Sequence, residues 1–116
     1  MGLSRLEIYK AILFNARIKY MIYSNPTMAT EGYIIGDSFG YFRGKQTYTL
    51  TVKSIGAYSI TGIDPEQIVE IVDWNIPEFV ADRADEIARL FMSNVFKDRN
   101  VVGEVLSEKQ FLESLA

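Results

Sequence analysis

The sequence predicts an α+β domain: an N-terminal helix, a five-stranded antiparallel sheet or small barrel, and two C-terminal helices. Three observations carry this prediction. Helix-start signals stand near both ends, at Ser4 with Glu7 and at Asn75 with Glu78. Residues 47–53 alternate strictly between polar and apolar. Turn residues punctuate the stretch between them at short intervals. At 116 residues the chain is one domain, with a helix over 4–16, a β-rich core over about 18–73 and a helical tail over about 76–115.

Ser4 and Glu7 form a capping box, with Leu3 and Ile8 placed as a hydrophobic staple. Leu6, Tyr9, Ile12, Leu13 and Ala16 then share one apolar face. Ile18 to Tyr23 suits either a helix end or a first strand, and Ser24-Asn25-Pro26-Thr27 closes it as a turn. Thr30 to Ile35 reads as a strand closing at Gly36-Asp37, and Phe39 to Phe42 as a short aromatic strand ending at Arg43-Gly44-Lys45. The alternating segment puts Tyr48, Leu50 and Val52 on one face and Thr47, Thr49, Thr51 and Lys53 on the other, as a half-buried antiparallel strand requires. Ala57 to Thr61 follows, with Tyr58 and Ile60 expected to point inward. Asp64 caps a tight helical turn with Pro65 in first position, and Ile68 to Val72 is the last strand. Ile76, Val80, Ala84, Ile87, Phe91 and Val95 form a helical stripe. Asn100 and Gly103 break it, and a second capping box, Ser107 with Gln110, opens a short last helix.

Short twisted strands, a glycine turn and a one-turn helix at Ile63 to Gln67 before a last strand resemble an SH3-like or Sm-like small β-barrel. The resemblance covers about residues 18–73 and is one of architecture. It implies a barrel, but such barrels host nucleic-acid binders, peptide binders and assembly modules alike.

Composition removes several chemistries. With no cysteine there is no disulfide, thiolate nucleophile or cysteine metal site. With no histidine there is no Ser-His-Asp arrangement and no imidazole base. Only oxygen-ligand metals stay open and no EF-hand pattern occurs, so no cofactor or metal is expected. No apolar run reaches membrane-span length, and Met1 to Glu7 does not read as a signal peptide. The absence of cysteine fits a cytoplasmic or other intracellular, reducing compartment.

Charge is uneven. Residues 1–63 carry +4 and residues 64–116 carry −7, which suits an electrostatic partner or an internal match between halves. Gly32, Gly36, Gly40 and Gly44 recur every four residues, but no Gly-Lys-Ser/Thr follows, so they read as turn and bulge glycines. Asp82, Asp85 and Glu86 read as a solvated helix face rather than an acid/base pair.

Two stretches suggest contact surfaces. In residues 39–48 aromatics alternate with Gly, Arg and Lys, the makings of a stacking platform for single-stranded nucleic acid. Tyr41, Phe42, Arg43, Lys45 and Tyr48 would form it, with Arg17 and Lys19 extending the positive surface. The competing reading is a hairpin whose aromatics fill the core and whose Arg-Gly-Lys tip is a soluble turn. In the tail, Leu90, Met92 and Phe96 are surplus to one apolar face and suit a subunit interface or, equally, packing within the chain on the barrel or the last helix. The sequence therefore leads to the expectation of a non-enzymatic protein-binding or assembly module, with a protein partner or a second copy of itself and without a membrane. The alternative is a nucleic-acid-binding small barrel using the aromatic and basic hairpin. Small size and the missing His and Cys also suit a viral or phage accessory protein.

Overall fold

The structure, a computed structural model, describes residues 2–22, 29–56 and 59–98. Its elements are α1 (Arg5–Phe14), β1 (Arg17–Met21), β2 (Ala29–Phe42), β3 (Lys45–Ser54), β4 (Ile60–Ile63), a 3₁₀ turn (Pro65–Gln67), β5 (Ile68–Asp73), a second 3₁₀ segment (Glu78–Arg83) and α2 (Ala84–Asp98). The expected last helix at Ser107 to Gln110, the turn at residues 24–27 and Tyr58 lie outside the described residues, and among the described residues α2 is the one α-helix after the sheet.

The caps read at Ser4 and Asp64 are formed. Ser4 Oγ accepts from Glu7 N–H at 3.1 Å while the Glu7 carboxylate accepts from Ser4 N–H at 3.0 Å. Asp64 and Gln67 do the same around the 3₁₀ turn. Asn75 with Glu78 is not a cap: the second 3₁₀ segment follows Pro77 with no side-chain cap, and α2 begins only at Ala84. Asn75, left-handed at φ 56°, donates its side-chain amide to the Asn15 carbonyl instead. The first helix stops at Phe14, two residues early, because Asn15 turns left-handed (φ 54°) and its N–H closes on the Ala11 and Ile12 carbonyls.

The strand order is β4-β3-β2-β1-β5, all antiparallel, and no ladder joins β4 to β5. The sheet is therefore open rather than a closed barrel. It is nonetheless strongly coiled. The edges of a flat five-stranded sheet lie about 19 Å apart. Only Asp64 and one 3₁₀ turn link Ile63 at one edge to Ile68 at the other, and a 3₁₀ turn rises only ~2 Å per residue. The Gln67 amide also ties that turn to β1 by donating to the Met21 carbonyl at 3.0 Å.

Three sequence expectations are corrected. Residues 30–35 and 39–42 are one continuous strand, because Gly36 follows a β-bulge at Ile35 instead of making a turn. Counting β1 restores five strands. Ile60 faces outward, 62% exposed, and Ile63 takes the inward place opposite Leu50. On α1 the buried residues are Ile8, Tyr9 and Ala11, because the helix is covered on two sides. The sheet packs on one side through Ile8, Ala11, Ile18, Ile34, Leu50, Val52 and Ile68. On the other side α2 packs through Tyr9, Met92, Phe91 and Val95. No described helix is long and apolar enough to cross a membrane.

Candidate functional site

Strands β2 and β3 form a long hairpin whose end reaches past the core. The six residues from Tyr41 to Gln46 are all exposed. The turn is the two-residue Arg43-Gly44, with φ of 52° and 78°, the positive values a tight hairpin demands. Tyr41 is 67% and Phe42 65% exposed, and the Arg43 guanidinium lies 5.2 Å from the centre of the Phe42 ring. Lys45 is exposed opposite Phe42. Neither Arg43 nor Lys45 makes an ion pair among the described residues.

The root of this arm is braced. Tyr48 belongs there and not at the tip: it is half-buried, stacked on Phe39 at 4.7 Å, and donates its hydroxyl to Asp37 Oδ2 at 2.7 Å. Tyr9 of α1 donates to the same oxygen at 2.6 Å. Arg5 lies 4.8 Å over both the Phe39 and the Tyr48 ring, while its buried Nη1 has no hydrogen-bond partner among the described residues. Phe96 of α2 meets Tyr9 at 5.8 Å and Phe39 at 5.7 Å. Burial pushes the Tyr48 hydroxyl far above the ordinary tyrosine range, and the charge of Asp37 and the bond to it push it further. The hydroxyl stays neutral and serves as a donor, and the cluster reads as a clamp rather than a reactive centre.

The other sequence candidates are dispersed. Arg17 and Lys19 sit on the outer face of β1, where Glu31 (3.1 Å) and Glu70 (3.5 Å) pair with them. Arg17 lies opposite Tyr33, eight residues along β2 from Tyr41, roughly 25 Å at strand rise. They do not extend the tip's positive surface. On α2, Leu90 is 63% exposed and open to a partner, but Met92 is fully buried against Tyr9 and is a core residue. The buried face centres on Ala84, Ala88 and Met92 because two alanines let α2 approach α1 closely. Phe96 is half-buried in the clamp. Phe79, in the 3₁₀ segment before α2, is 80% exposed.

No protein-family model, curated protein or solved structure matches the chain. The site must speak for itself. Among the described residues no group of three carboxylates comes together that could hold a metal ion. The charge asymmetry is answered internally in part: Lys10 binds Asp85 at 2.8 Å and Lys19 binds Glu70 at 3.5 Å across the two halves. The hydrogen bond and charge of Lys10 hold the Asp85 carboxyl below its ordinary range. The hairpin tip is left with unmatched cations beside exposed aromatics.

Proposed function

We propose that the chain is a non-enzymatic binding and assembly module that makes its contacts through the β2–β3 hairpin tip. The observation that carries this is the pairing of two-thirds-exposed Tyr41 and Phe42 with a rigid root. Aromatics held in place give contact area at little entropic cost on binding. The turn supports the same reading. Arg43 occupies a left-handed position that Asn or Gly fills more cheaply, and such exceptions gather where function demands a side chain. Strand order, the helix before the sheet and the 3₁₀ turn before β5 favour an opened small barrel of the SH3-like or Sm-like kind. That architecture suits assembly but does not specify it.

The cysteine-free chain allows a direct test. Tyr41→Cys carrying a benzophenone label is irradiated in host extract, with Asn94→Cys, on the exposed side of α2, as control. A protein adduct at position 41 and none at 94 is expected. Equal labelling at both sites, or none at either, would refute the reading.

One observation favours single-stranded nucleic acid as a second reading: no Asp or Glu occurs from Ser38 to Lys53. A nucleic-acid adduct at position 41, with affinity falling steeply with salt, would establish it. The pairing of Arg17 and Lys19 with carboxylates leaves that surface with two tip cations, which is why protein is preferred.

A further inference from the structure

Strand β3 is ten residues long, yet β4 pairs only with Leu50 to Lys53. Ser54 N–H donates to the Ser59 carbonyl at 2.9 Å, so the even-numbered residues of β3 aim their N–H and C=O groups toward the β4 side. Leu50, opposite Ile63, is the last of them with a strand partner. Tyr48 and Gln46 come next, and they direct two N–H and two C=O groups out of an unpaired edge. No described backbone group bonds to them there. The edge opens on a cleft of about 680 Å³, lined by residues 46–49 of β3, by Asp64 and Glu66 beyond β4, and by Gly2 and Leu3 ahead of α1. An edge of this kind is a template for another strand.

We propose that the occupant is a second copy of this chain, whose β3 pairs antiparallel with the first about a two-fold axis at Thr47. The inference rests on the assembly reading of the hairpin and gives it a partner and a geometry. In this register Gln46 of each copy faces Tyr48 of the other, and the four free backbone groups of each copy are used in four hydrogen bonds. Thr47 faces Thr47, and Lys45 faces Thr49, so no like charges oppose each other. Shifting the axis one residue toward Gln46 leaves backbone groups unpaired. Shifting it toward Tyr48 sets Gln46 of the incoming strand against Leu50, whose edge Ile63 already fills. In the Thr47 register only the turn residue Gly44 reaches that level, where the incoming chain is leaving the ladder toward its own β2. The register also delivers charge. It brings Arg43 and Lys45 of one copy to the end of β4 in the other, where Asp64 and Glu66 are exposed. The two-fold repeats that contact, and the pairing closes on itself as a dimer.

Purified chain is studied by sedimentation and by cysteine cross-linking. Facing residues at a non-hydrogen-bonded antiparallel site have Cα atoms about 4.5 Å apart, within disulfide reach. Thr47→Cys is therefore expected to give a disulfide-linked dimer under mild oxidation, and Thr49→Cys, which faces Lys45, is not. Gln46→Pro removes an edge-facing N–H and spares the ladder to β2, so dimer affinity should fall about tenfold or more with the melt unchanged. Arg43→Glu should weaken the dimer and Glu66→Lys should restore it. Should Gln46→Pro unfold the chain, the two cysteine variants still decide. A monomer at every concentration, or equal cross-linking at 47 and 49, overturns the proposal. A monomer whose labelled position 41 still captures another protein overturns this dimer and leaves the hairpin reading standing.

Discussion

The hydroxyl of Tyr9 on α1 donates to Asp37 Oδ2 in the middle of β2 at 2.6 Å, across 28 residues of sequence. Tyr48 donates to the same oxygen from β3. One carboxylate thus ties the helix to both strands of the hairpin. Hydrogen bonds to a charged group contribute about 1.5–3 kcal/mol each. Tyr9→Phe and Tyr48→Phe should each cost in that range. Asp37→Ala should cost more than either, because it orphans two hydroxyls. Urea unfolding of the two single variants and the double variant should give non-additive losses, since both bonds share one acceptor.

Alkaline stability should depend on Tyr48. Its hydroxyl is held neutral in the folded chain, above the ordinary 10.0, by burial first and Asp37 next. An unfolded tyrosine loses its proton near pH 10. Above that point the folded state holds more protons than the unfolded state, so stability falls as pH rises. Below it the contribution is fully present. Tyr20, raised by burial, acts in the same direction. Urea midpoints between about pH 9 and 11 should decline for the native chain and decline less for Tyr48→Phe.

Gly32 lies between Ile18 of β1 and Ser54 of β3. A Cβ there would collide with the Lys53 carbonyl oxygen and stand 3.1 Å from Ser54 Cα. Gly32→Ala should therefore destabilise by about 3 kcal/mol or more. Gly36→Ala, with nothing within 4 Å, should shift stability by less than about 1 kcal/mol in either direction. Equal melting temperatures for the two variants would contradict the strand packing at Gly32.

Met92 and Leu90 separate burial from exposure on one helix. Met92→Glu places an unpaired charge beside Tyr9 in a sealed core and should cost more than about 4 kcal/mol. Leu90→Glu should stay within about 0.5 kcal/mol. Thermal melts of both check this. Met92 is thus no probe of any interface, because losing it loses the fold.

Local signals were legible in the sequence and long-range ones were not. The alternation around Leu50 and Val52 and the caps at Ser4 and Asp64 are contained within a few residues, and the structure repeats them. Gly36 misled because turns and bulges both favour glycine, and only the facing strand decides between them. Met92 misled because a stripe read from large side chains overlooks Ala88, which marks the true buried line. Tyr41 and Phe42 were picked out by type, but their exposure depends on where the core ends. Asp37 gave no signal at all. Its partners come from another helix and another strand, so the clamp exists only in the folded chain.

The order of the strands also fixes an order of events. The β2–β3 hairpin closes through a two-residue turn and can form within microseconds, with no help from the rest of the chain. Strand β1 finds β2 early, but its other side waits for β5, which pairs Arg17 with Asp73 only after the whole meander between them exists. During synthesis the inward faces of Ile18 and Tyr20, buried in the finished core, therefore stand beside an open edge until residues near Ile68 leave the ribosome. The fifth strand, short as it is, decides when the nascent chain ceases to be a template for aggregation.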